Sequence, residues 1–182
     1  MKTTFYEKFQ HKTRVVIAGN LHKKEATTLF LHVIHFFGNT MDFITSSSEN
    51  IQGTDFVLFE AENNELLNYH PNIVLITENN DSELSENFLK TIIGGGILIY
   101  NEEDESLIQT IENSENFFRK IPYKTPDFQK TNGTNYLNTD IGEIPVQISD
   151  ENLSFIEGVK HLCQHIGIME EDFYEALMEF EA

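Results

Sequence analysis

Apolar residues follow two different spacings along this chain. Short continuous runs rich in Val, Ile, Leu and Phe occupy residues 14–18, 55–59, 72–77 and 97–100, with a briefer one at 42–45. Runs of this kind predict strands buried on both faces. Between them the spacing lengthens. Ala26, Leu29, Phe30, Val33, Ile34 and Phe37 recur at three and four, which predicts a helix over 25–37 with one buried face, stopped by Gly38-Asn39. Weaker helical stretches fit 82–92 and 104–111. Strands alternating with helices in this way predict an α/β domain of three layers around a mostly parallel sheet. Beyond residue 118 the pattern changes. Pro122, Pro126, Pro145 and the turn Asn132-Gly133 predict a short antiparallel edge near 118–148, and two helices over 152–165 and 170–180 close the chain. No repeat or linker divides it, so residues 1–182 read as a single domain.

Charge adds a second level. The 182 residues carry 12 Lys and Arg against 30 Asp and Glu, a net charge of −18. That balance argues against nucleic acid and against an anionic membrane surface as partners, because both demand a basic face. One Cys excludes an internal disulfide and a multi-Cys zinc site. No signal-peptide core and no long apolar span occur, so a cytoplasmic location is expected. The charge is uneven, however. Residues 1–24 carry Lys2, Lys8, Lys12, Arg14, Lys23 and Lys24 against Glu7 alone. A basic opening on an acidic body marks a candidate anion site.

That basic segment ends on a turn between the first strand and the first long helix: Gly19-Asn20-Leu21-His22-Lys23-Lys24. A strand, a Gly-led turn, a Lys and a helix form the layout of a phosphate-binding loop, where helix N–H groups and the helix dipole favour an anion. Residues 15–37 resemble the opening of the central ATPase domain of the Mur ligases, whose Gly-Thr-His-Gly-Lys-Thr loop aligns without gaps on Gly19 to Lys24. Later stretches match in order. Asp55 to Glu62, with Glu60 within it, resembles the strand that carries the family's metal-binding Glu. Tyr69 to Thr77 resembles the strand before its Thr-Asn-x-x-x-Asp-His motif. Gly95-Gly96-Ile97-Leu98 resembles its Gly-Gly-x-Leu strand. Glu151-Asn152 resembles its Gly-x-His-Asn segment, and Gly167-Ile168 its closing Leu-Gly-Ile.

The resemblance implies a P-loop-like fold and ATP-dependent amide-bond formation in peptidoglycan synthesis or recycling. It implies ATP and Mg²⁺ as cofactors, with Gly19, His22, Lys23 and Lys24 at the cofactor and Glu60 at the metal. Its departures imply something further. The second Gly of the loop is His22, the Mg²⁺-holding hydroxyl is Lys24, and the positions after Thr77 are Glu78, Ser82 and Glu83. A Cβ then stands where backbone approaches phosphate, and a cation stands where a metal would be ligated. The domains that flank this one in the family and hold its other substrates are expected to be absent. The expectation is therefore a domain without ligase chemistry, with no catalytic residue assigned, which binds a nucleotide, an anion or a protein partner. The alternatives are an ATP- and Mg²⁺-binding component of a muramyl ligase completed by other subunits, and a metal-independent anion-binding domain.

Other groups read as structural. His161 and His165 share the solvated face of their helix, opposite Cys163, which reads as core. His32 and His35 fall off the apolar stripe of theirs and read as surface residues. Gly94-Gly95-Gly96 precedes a strand and reads as a turn. The acidic runs 102–105 and 170–172 suit helix starts.

Overall fold

The computed structural model describes residues 5–61, 66–77 and 86–181. Helix α1 (Phe5–Phe9) precedes β1 (Thr13–Ala18), α2 (Lys23–Phe36), β2 (Asp42–Ile44), β3 (Glu49–Asn50), β4 (Phe56–Ala61) and β5 (Ile73–Ile76). Then come α3 (Glu86–Leu89), β6 (Gly96–Asn101), α4 (Glu105–Glu112), β7 (Phe118–Tyr123), β8 (Phe128–Thr131), β9 (Thr134–Thr139) and β10 (Gly142–Val146). Helices α5 (Ile156–His165) and α6 (Glu170–Met178) follow.

Seven strands form one sheet in the order β3-β2-β4-β1-β5-β6-β7, parallel except for the two-residue β3. Alternate residues of each strand face opposite layers. Val15, Ile17, Leu58, Leu75 and Ile99 pack under α2, α5 and α6, whereas Val16, Phe59, Val74, Ile76 and Leu98 pack under α1, α3 and α4. Burial on both faces explains why these runs are apolar throughout rather than alternating. The second sheet, β10-β9-β8, is antiparallel and lends Leu137, Ile144 and Val146 to the core on the α6 side.

The three-layer α/β fold with its separate antiparallel part is as the spacing predicts. Within the expected antiparallel region, Phe118–Tyr123 instead pairs parallel with β6, and antiparallel pairing begins at Phe128. Pro122 is tolerated there because β7 is an edge strand. Helix 82–92 is seen as Glu86–Leu89; residues 78–85, with Glu78, Ser82 and Glu83, lie outside the described residues. Among the described residues no helix is long and apolar enough to cross a membrane.

Strand order places the candidate loop. The chain leaves β1 toward β2 on one side and leaves β5 toward β6 on the other, so the sheet's direction of winding reverses beside β1. Open α/β sheets form their ligand crevice outside the carboxyl ends at such a reversal.

Candidate functional site

The turn after β1 is held in place from three directions. Gly19 takes φ 137°, a conformation that suits a residue without Cβ. Thr77, after β5, donates its N–H to Ala18 O (2.8 Å), and its Oγ1 lies 2.7 Å from Leu21 O and 3.1 Å from Ala18 O. His22 caps α2 in the left-handed region, with φ 57° and ψ 5°. The position therefore keeps the backbone shape a glycine would favour, at a cost of about 1 kcal/mol for a residue with a Cβ. The imidazole turns toward α5. Nδ1–H donates to Asn152 Oδ1 at 2.9 Å, and the ring centroid lies 5.9 Å from that of Phe155.

Lys23 opens the helix and donates from Nζ to Ala61 O at the end of β4 (3.2 Å). Lys24 is exposed at the mouth of the site. Glu60, 9% exposed on β4, accepts from Ser46 Oγ at 2.7 Å. Together Gly19, Asn20, His22, Lys23, Lys24, Glu25, Ser46 and Glu60 line a cleft of about 380 Å³, two lysines beside two carboxylates. All five predicted site residues, Gly19, His22, Lys23, Lys24 and Glu60, thus meet in one place. The fourteen-residue α2 aims its first N–H groups and its dipole at this cleft.

A second cleft of about 500 Å³ adjoins the first and shares Lys24 and Glu60 with it. It runs along α2 between the hydroxyl-rich turn at 45–48 and the end of the chain at Phe180 and Glu181. The sequence reading missed this second cleft, Ser46 and the His22–Asn152 link. The Thr45-Ser46-Ser47-Ser48 run was the available signal for the first two.

Not every basic residue of the opening segment serves the site. Lys12 pairs with Asp42 at 2.8 Å, both buried, and also donates to Thr54 O. Arg14, 4% exposed, donates to the carbonyls of His70 (2.9 Å), Lys12 (3.0 Å) and Gln10 (3.1 Å). Both hold the amino end of the sheet together.

The remaining candidates are structural. Cys163 is fully buried, and burial pushes its thiol up. His35 is exposed, but His32 is half-buried, donating Nε2–H to Ala176 O at 3.0 Å with its ring 5.2 Å from Phe180. It packs α2 on α6 rather than facing open solvent. Lys160 joins Glu157 (2.8 Å), Glu170 (3.0 Å) and Tyr174 (3.0 Å) into a closed network between α5 and α6. Burial, reinforced by the two carboxylates against the pull of Lys160, pushes Tyr174 up to about 12. Among the described residues no three His, Cys, Asp or Glu side chains converge as a metal cluster.

No family model matches the sequence and no curated protein matches it. Solved structures do match. The chain superposes on the UDP-N-acetylmuramate:L-alanyl-gamma-D-glutamyl-meso-diaminopimelate ligase from Neisseria meningitides with a TM-score of 0.76 at 14% identity, over 96% of this chain and 68% of that one. For the UDP-N-acetylmuramoylalanyl-D-glutamyl-2,6-diaminopimelate–D-alanyl-D-alanyl ligase from Acinetobacter baumannii the TM-score is 0.75 at 9% identity, over 97% and 48%. For folylpolyglutamate synthetase from Lactobacillus casei it is 0.65 at 10% identity, over 95% and 63%. The structural neighbours are thus Mur ligases and folylpolyglutamate synthetase, and the chain spans between about half and two thirds of their length. The likeness is one of fold.

Proposed function

We propose that this domain uses a Mur ligase-type fold to hold a phosphate-bearing anion without a metal, as a binding or regulatory module rather than a ligase. One observation carries the reading. Lys24 stands exposed at the mouth of the loop cleft, beside Lys23 and the N-terminus of α2. Two ammonium groups and the helix dipole supply the positive charge that a divalent ion would otherwise bring. The donor set fits Mg²⁺ poorly. Glu60 is already held by Ser46, and Mg²⁺ wants near-octahedral oxygen donors, not a neighbouring cation. A net charge of −18 keeps polyanions such as nucleic acid off the rest of the surface, and the partner is a small anion or a protein that carries one.

The second reading is an ATP- and Mg²⁺-binding component of a muramyl ligase completed by other subunits. Glu60 and Lys23, both in the cleft, favour it. Calorimetry on the whole chain separates the two. Inorganic phosphate should bind equally well with and without Mg²⁺, and Lys23→Ala should weaken it about tenfold, as expected for losing one charge-assisted hydrogen bond. Binding of ATP that requires Mg²⁺ would favour the second reading and overturn the first.

A further inference from the structure

Along α2 the loop cleft runs on, past Lys24 and Glu60, into the second cleft, which shares both residues with it. Glu60, at the junction, accepts from Ser46 Oγ at 2.7 Å. On the α5 side, His22 is tied to Asn152 at 2.9 Å and its ring lies 5.9 Å from that of Phe155.

The second cleft carries an unsatisfied group. Thr27, 2% exposed, lines it, and Thr27 Oγ1 has no hydrogen-bond partner. Its neighbour Thr28 shows the ordinary outcome on a helix, donating to Lys24 O one turn back at 2.8 Å. A buried hydroxyl left unpaired is costly, and a helical Thr has two χ1 wells through which to present it. The same cleft is lined by the hydroxyls of Thr28, Ser47 and Ser48, the imidazole of His35 and the carboxylates of Glu179 and Glu181. Leu31 adds an aliphatic patch. Such a lining donates and accepts hydrogen bonds in comparable number, which matches the hydroxyls of a polyol better than the face of an aromatic base.

We propose that the site takes a sugar phosphate, its phosphate on the Gly19–Lys24 loop and its hydroxylated body along α2 against Thr27. This rests on the anion-binding reading above and adds the ligand class and direction.

The test is calorimetry on the whole chain with three probes: inorganic phosphate, glucose 6-phosphate and ATP. Glucose 6-phosphate should bind about tenfold more tightly than inorganic phosphate, the worth of one or two added hydrogen bonds. ATP should bind more weakly than glucose 6-phosphate. Thr27→Val, checked for folding by circular dichroism, should remove most of the advantage of the sugar. Glucose 6-phosphate binding no better than phosphate, ATP binding more tightly than glucose 6-phosphate, or a sugar advantage indifferent to Thr27→Val, each overturns the proposal. If phosphate alone binds and Lys23→Ala weakens it, the anion site stands and only the ligand class falls. If none of the three probes binds, both readings fall.

Discussion

Asp42 shows how much a single buried charge can depend on residues remote in sequence. Its carboxylate has no exposed surface and accepts from Lys12, from the N–H groups of Gln52 (2.9 Å), Gly53 (3.1 Å) and Thr54 (3.2 Å), and from the Thr54 hydroxyl (3.1 Å). Burial alone would raise its pKa; Lys12 and these donors outweigh burial and hold it at about 2. A folded-state pKa below the unfolded one means stability that is complete above about pH 4 and lost as pH falls toward 2. The shift corresponds to on the order of 2 kcal/mol. Asp42→Asn should destabilise by about 3–5 kcal/mol at neutral pH, because Lys12 is left buried without its counter-charge. In urea melts it should also flatten the dependence of stability on pH between 4 and 2. An unchanged slope there would show that Asp42 is not the group responsible. At this scale the sequence was only half legible. Lys12, Arg14, Lys23 and Lys24 look alike in a basic segment, yet two are buried in the frame and two line the cleft. Spacing could not separate them, since the partner of Lys12 lies thirty residues away.

Elements were far more legible than residues, because periodicity reports burial directly. The helix over 25–37 and the strands around it appear within a residue or two of expectation, and Asp104 caps α4 through Leu107 N at 3.0 Å, as its acidic start suggests. Hidden from such patterns was how closely the elements approach. At Gly158 on α5, an added Cβ would sit 2.7 Å from the Tyr123 ring and 2.8 Å from Leu75 Cδ1. Tyr123 cannot readily yield, since its hydroxyl donates to Ile76 O at 3.0 Å inside the core. Gly158→Ala should therefore destabilise by about 1–3 kcal/mol even though Ala is the better helix former. A thermal melt equal to or above that of the native chain would mean that α5 can shift outward freely. The parallel edge strand β7 escaped the sequence reading for a related reason. Pro122 and the exposed Arg119 and Lys120 describe an edge, but not which sheet the edge belongs to.

For the molecule as a whole, the charge of −18 and an anion held by Lys23 and Lys24 respond to salt in opposite senses. Screening relieves repulsion among the carboxylates, so the melting temperature should rise between low and physiological ionic strength. Over the same range, phosphate held by Lys23 and Lys24 should bind more weakly. Parallel melts and titrations at matched ionic strengths would check this, and a melting temperature that falls with salt would contradict the first half. The two trends come from one chain because its charge is segregated, which a net figure conceals. The His22–Asn152 bond adds a kinetic dimension. It joins residues 130 apart, so the loop is fixed by a contact far more distant in sequence than the helix it caps. Helix α2 can form early from local interactions, but such a long-range closure waits until the last third of the chain has docked. During refolding, the shape of the loop should mature after the helical signal does, making it a late clock for assembly.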